Sequence, residues 1–178
     1  MRRLGFFILG LIAGAAILAP AGAYLFVRFG GLPMATSGKP FPFEKTFAHA
    51  ALHASIGSAS NTPDPLPLTD ANLLAGAQVY RQNCDMCHGL PAHPKPAIAK
   101  GEYPPPPQLF EPKEMVTDDP QGTTYWKVSN GIRLTGMPGF SDTLSSTERW
   151  QVSMLLTNAD KLPPTVKAAL TENGQPQP

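Results

Sequence analysis

Apolar positions along this chain fall into three patterns. The first is an unbroken run: Leu4 to Val27 is 24 residues without a charge, preceded by Arg2 and Arg3 and closed by Arg28. As one helix it would be roughly 36 Å long, enough to cross a hydrocarbon core of about 30 Å with some tilt. Pro20 and the glycines within it are tolerable if the freed carbonyls find partners. The second pattern is helical spacing. Phe43, Phe47, Ala50 and Ala54 predict an amphipathic helix over 43–56, with Gly57 as its stop. A helix over 71–83 follows Asp70 as N-cap, and one over 120–130 has Asp119 as cap, Pro120 in the first position and Gly131 at the left-handed C′ site. Ser145-x-x-Glu148 reads as a capping box opening a helix over 146–158, and residues 164–170 suit a last short helix before a polar tail, 171–178.

The third pattern is proline. Residues 30–42 hold four Gly or Ser and three Pro and read as a linker, and Pro63, Pro65 and Pro67 make 58–67 extended. No period-two alternation survives the prolines, so the class is all-α with substantial loop. The expected organisation is a membrane anchor or signal peptide at 1–29, a linker with one helix at 30–69, a helical domain at 70–163, and a short helix and tail at 164–178.

Charge sharpens this picture. The 14 basic and 13 acidic residues give a net +1, but residues 1–29 hold three arginines and no acid, so the remainder is slightly acidic. That argues against a nucleic-acid partner, which needs a basic face to neutralise phosphates. Ala21-Gly22-Ala23 has the small-x-small pattern of a signal-peptide cleavage site. An uncleaved anchor through residues 4–27 is favoured because the apolar run continues past that site. Arg2 and Arg3 keep the N-terminus cytoplasmic, though Arg28 and Lys39 on the far side weaken the bias. Anchor and cleaved signal alike export the domain, to the periplasmic side of a bacterial inner membrane or into the periplasm as a soluble protein.

The two cysteines carry the chemistry. They stand in Cys84-Asp85-Met86-Cys87-His88, the C-x-x-C-H arrangement of c-type haem attachment. Two thiols at this spacing each add to one vinyl group of the same porphyrin, and the next imidazole falls under the iron as proximal ligand. A Cys84–Cys87 disulfide would also suit an exported chain. A thioredoxin-like pair needs a βαβ setting that the sequence lacks, and zinc would need a further ligand beyond His93.

A second axial ligand separates electron transfer from substrate chemistry. The candidates are Met86, Met115, Met137, Met154, His49, His53 and His93. Met86 lies between the cysteines and cannot reach the opposite face of the ring, and Met154 reads as core. Met137, in Thr135-Gly136-Met137-Pro138-Gly139, sits where glycine permits close approach and proline stiffens the loop. It is therefore the expected distal ligand. His49 and His53 read as a solvated helix face rather than a metal pair.

These residues resemble the class I cytochrome c family, in particular its membrane-anchored monohaem bacterial members. The resemblance covers about residues 70–160. It rests on Cys84–His88, on Gly76-x-x-x-Tyr80, on Gly131 to Pro138 and on Trp150. It implies a small helical domain wrapped around one covalent haem c. Its first and last helices would cross closely at Gly76, with Tyr80, Trp150 and Met154 filling the crossing as core. It also implies a proline carbonyl that accepts the Nδ1–H of His88, which falls on Pro107 in the run 104–107. Tyr103, Leu109, Phe110, Trp126, Ile132 and Phe140 are the expected walls of the haem crevice.

The implied function is single-electron relay between a dehydrogenase, an oxidase or another cytochrome, with His88 and Met137 on the iron and no enzymatic activity of its own. A haem subunit of a larger membrane complex, docked through the 43–56 helix, is the second reading. A peroxidase or gas-binding protein with a labile sixth site is the third.

Overall fold

In the computed structural model, which describes residues 2–171, every regular element is helical and no strand is present among the described residues. In chain order these are α1 (Arg2–Arg28), α2 (Glu44–Ile56), a 3-10 turn (Gly57–Asn61), α3 (Asp70–Asn83), α4 (Asp85–His88), α5 (Ala97–Gly101), α6 (Gln121–Asn130), α7 (Ser146–Thr157) and α8 (Pro164–Thr171). The chain divides into two compact units, Met1–Lys45 and Thr46–Pro178.

The first unit is built on α1, whose span Arg3–Arg28 is long and apolar enough to cross a membrane and buries none of that surface within the protein. Beyond the helix the backbone turns back: the Gly31 N–H donates to the Phe26 carbonyl at 2.8 Å, and the rings of Phe26 and Phe41 meet edge to face at 6.1 Å.

The second unit is organised around α3 and α7, which share its largest interface. Leu73, Ala77 and Tyr80 from α3 are buried with Val152, Leu155 and Leu156 from α7. α8 closes the same core on α3 with Val166 and Leu170, both wholly buried. α6 packs on the other side of α7, where Tyr125 stacks flat on Trp150 with centroids 3.9 Å apart. A strap formed by the 3-10 turn and the residues after it lies on the start of α6. A Cβ added at Gly122 would come within 2.7 Å of the Ser60 carbonyl oxygen and 2.9 Å of that of Thr62. The Gln121 amide donates to Asp64 at 2.6 Å across the same contact.

Several local expectations shift. The cap of α3 is Thr69, whose hydroxyl accepts from the Asn72 N–H at 3.2 Å; Asp70 lies instead in the first turn, where its charge suits the helix dipole. Asp119 does not cap α6, because its carboxylate pairs with Lys127 at 2.9 Å; Pro120 takes the cap position and the helix starts at Gln121. The 58–67 stretch is not wholly extended, since the chain continues from α2 into a 3-10 turn that ends at Asn61. Residues 164–171 are not peripheral to the helical body. Their two apolar side chains belong to its core, so the compact region runs past residue 163. The tail expected at 171–178 lies outside the described residues after Thr171. Phe43 and Phe47, expected on the buried stripe of an amphipathic helix, are exposed, and in α2 only Ile56 is buried.

Candidate haem site

The attachment turn grows directly from the end of α3. The Cys84 N–H donates to the Tyr80 carbonyl at 2.8 Å, the His88 N–H to Cys84 at 2.9 Å and the Gly89 N–H to Asp85 at 2.8 Å. This single helical turn puts Cys84 and Cys87 three positions apart on one face, with His88 immediately after. Gly89 then takes φ 70°, a left-handed conformation that lets the chain leave the helix. Both thiols are free. Burial, with the nearby Asp85 and Cys87, pushes the Cys84 thiol up to about 12, and burial together with Glu102 raises that of Cys87.

The proline run supplies the partner of the imidazole. His88 Nδ1 lies 2.8 Å from the Pro107 carbonyl oxygen. A carbonyl can only accept, so Nδ1 carries the hydrogen and Nε2 keeps a free lone pair. Burial lowers the pKa of His88, against the opposing pull of the Pro107 bond and the Glu102 charge, and so favours the neutral ring that a metal ligand requires. Gln108 fastens this loop to the attachment turn: its amide donates to the carbonyls of Cys87 at 3.3 Å and Pro106 at 3.2 Å. The Gln108 N–H in turn donates to the carboxylate of Glu114.

The segment after α6 carries Met137. Its backbone returns along the helix end, with Phe140 N–H donating to the Val128 carbonyl at 3.0 Å and Ser141 N–H to that of Ser129 at 3.1 Å. These carbonyls have no partner inside the helix, so the loop satisfies them. Within the loop the Ile132 N–H donates to the Met137 carbonyl at 3.2 Å, and the Thr135 hydroxyl donates to the Ile132 carbonyl at 2.7 Å while accepting from the Met137 N–H at 3.1 Å. Gly131, at φ 67°, faces Pro138 and Gly139 so closely that a Cβ there would lie 2.6 Å from the Pro138 carbonyl carbon. The methionine thus stands on a loop braced by its own hydrogen bonds.

Cys84, Cys87, His88, Pro107 and Met137 all line one cavity, which encloses about 780 Å³ including its open mouth. Its other walls include Pro104 to Pro106, Leu109, Val128, Ile132, Phe140 and Leu156. Two thiols, an imidazole with a free Nε2, a thioether and apolar walls are the donor set and surroundings that haem c needs, so the residues fit the group. Of the expected walls, Leu109, Ile132 and Phe140 line the cavity, whereas Tyr103, Phe110 and Trp126 do not. Phe110 packs edge to face on Tyr80 at 5.0 Å. Among the other candidate ligands, Met154 is core, Met86 is exposed, and Met115 does not line the cavity. His93 lines a separate small hollow beside His88, Lys95 and Glu111. His49 and His53 are exposed on α2.

Three contributing roles escape sequence reading. Glu102 reaches the cavity wall beside Cys87, Gln108 braces the attachment turn, and Tyr80 donates its phenol to the Gly89 carbonyl. Each acts over nine or more positions of chain, and the sequence points to Tyr80 alone, as core.

Residues 71–154 match the family described as "Cytochrome C oxidase, cbb3-type, subunit III", and they form a cytochrome c domain of that type. Such a domain implies covalent haem c and haem-based electron transfer, and Cys84 and Cys87 fit that attachment. Among solved structures, the chain is similar to one from a reducing HAO-like protein complex of Kuenenia stuttgartiensis. The identity is 24%, the TM-score 0.45, and the match covers 55% of this chain and 49% of that one. The chain therefore spans about half the length of that relative. No curated protein matches it.

Proposed function

We propose that the helical domain that begins near residue 70 and runs through α8 holds a single haem c, attached through Cys84 and Cys87 and ligated by His88 and Met137, and that it relays single electrons between redox proteins. The observation that carries this reading is the convergence of those four side chains on one apolar cavity, with His88 turned by the Pro107 carbonyl so that Nε2 is free. Haem iron held this way supplies one-electron chemistry between its ferric and ferrous states. The chain's own part is to fix the imidazole, to brace the thioether on a hydrogen-bonded loop and to exclude water with aliphatic walls. Held by both His88 and Met137, the iron would have no position left for a substrate, which supports an electron carrier rather than an enzyme. The donor and acceptor belong to the class of exported or membrane-bound dehydrogenases, oxidases and cytochromes.

The apolar α1 helix supports an exported domain tethered to the bacterial inner membrane, and tethering raises its effective concentration beside membrane partners. Cleavage after the Ala21–Ala23 stretch would instead give a soluble periplasmic carrier. A role as haem subunit of a larger oxidoreductase is the second reading. It is favoured by the bare rings of Phe43 and Phe47, 73% and 71% exposed.

Expression in a host that matures c-type cytochromes tests the assignment. The denatured polypeptide should keep its red colour in acidified organic solvent, and its mass should exceed the chain's by one porphyrin. The oxidised protein should show an iron–sulfur charge-transfer band and bind carbon monoxide slowly when reduced. Extractable pigment, or a mass without an adduct, would overturn the haem assignment. Rapid carbon monoxide binding would overturn the role of Met137.

A further inference from the structure

Among the residues lining the cavity, Glu102 is the one carboxylate. It follows α5, whose Ala99 is wholly buried, so the backbone that carries it is anchored in the domain. Its Oε1 accepts from Cys87 Sγ at 3.5 Å. Its Oε2 lies against Gly136, where an added Cβ would stand 2.6 Å away. The carboxylate is thus wedged between the attachment turn and the loop that carries Met137. Neither the Lys127–Asp119 nor the Lys161–Asp160 ion pair involves it.

We propose that Glu102 is a fixed negative charge at the edge of the haem, which lowers the reduction potential below the value that the apolar cavity and axial ligands would set alone. This rests on the haem assignment above. A thioether sulfur carries no hydrogen, so Cys87 cannot donate to Glu102 once the cofactor is attached. The carboxylate is then the one acidic side chain that the protein itself presents to the cavity. A negative charge there favours the more positive ferric state, and low-dielectric walls screen it less than water would. Gly136 is part of the same device, since a side chain at that position would displace the carboxylate.

Potentiometric titration of the full-length holoprotein tests this, after mass spectrometry has confirmed covalent haem in each variant. In Glu102→Gln, the ferric-to-ferrous ratio at a fixed applied potential should fall several-fold to about tenfold, where tenfold is 59 mV for a one-electron couple. Glu102→Asp should restore most of the shift. Asp160→Asn, which removes a carboxylate that does not line the cavity, should titrate like the wild type. The iron–sulfur band should persist in all three.

An unchanged potential in Glu102→Gln, or an equal shift in Asp160→Asn, would overturn the inference while leaving haem attachment intact. A shift accompanied by loss of the iron–sulfur band would also overturn it, by making Glu102 a strut of the methionine loop. If neither Glu102→Gln nor Glu102→Ala acquires haem while Glu102→Asp does, Glu102 serves attachment and the inference fails. Absence of covalent haem from the wild type would instead sink the assignment on which it rests.

Discussion

The phenol of Tyr80 donates to the carbonyl of Gly89 at 2.7 Å inside the core, tying the last turns of α3 to the residue that follows His88. The ring is wholly buried, so neither group has water as an alternative partner. Tyr80→Phe keeps the packing against Phe110 and leaves the Gly89 carbonyl unsatisfied. The expected cost is about 1–3 kcal/mol, read as a lower denaturant midpoint with an unchanged slope. A midpoint equal to the wild type's would show that this bond does not hold the attachment turn.

The crossing of α3 and α7 depends on a missing side chain. A Cβ at Gly76 would run into the backbone carbonyl of Gln151 and stand 3.2 Å from the Leu155 Cβ. Backbone cannot step aside as a flexible side chain can, so Gly76→Ala must separate the helices. The expected loss is about 1–3 kcal/mol or more. Gly101→Ala is the matched control, since nothing lies within 4 Å of the added methyl in α5, and it should be neutral or slightly stabilising. Equal effects at the two positions would contradict the close approach.

What the sequence disclosed and what it hid follow the range of each interaction. The capping box of α7 involves Ser145 and Glu148 alone, and it was legible because its partners are three residues apart. The left-handed Gly131 at the end of α6 was equally local. Asp119 looks like a cap in the sequence, because its choice of Lys127 depends on where a helix turn places that ammonium. The cysteines, His88 and Met137 stood out by chemical type, since few other roles combine them. Pro107 was named only through a family resemblance, because four successive prolines offer the same carbonyl. The burial of Val166 and Leu170 and the reach of Glu102 were invisible. Each is fixed by an element distant in the chain, and nothing in the local pattern announces it.

Met137 stands on a loop whose hydrogen bonds do not involve its side chain. On the ligation proposed above, Met137→Ala should leave the loop folded and the haem covalently attached while freeing the position that the thioether would hold. The reduced variant should bind carbon monoxide rapidly, the oxidised one should bind added imidazole, and the potential should fall with loss of the sulfur ligand. Stopped-flow mixing with carbon monoxide checks this. A variant that excludes ligands as well as the wild type would move the distal role to another residue.

The capping box gives stability a defined pH dependence. Glu148 accepts from the Ser145 N–H at 2.8 Å and from its hydroxyl at 2.7 Å, and both bonds hold its carboxyl below the usual 4.5. The folded state therefore binds fewer protons than the unfolded one as this group titrates. Its contribution is complete above the unfolded value and is lost as pH falls through the lower, folded one. Asp64 and Asp85 are shifted the opposite way, chiefly by burial, so the profile of the whole protein does not isolate Glu148. The difference between wild type and Glu148→Gln does. Measured by denaturant unfolding at steps between pH 7 and pH 3, that difference should stay constant down to about pH 5 and then shrink steadily. A difference that stays level to pH 3 would reduce Glu148 to a matter of helix propensity. One that grows in acid would reverse the sign of its coupling to folding.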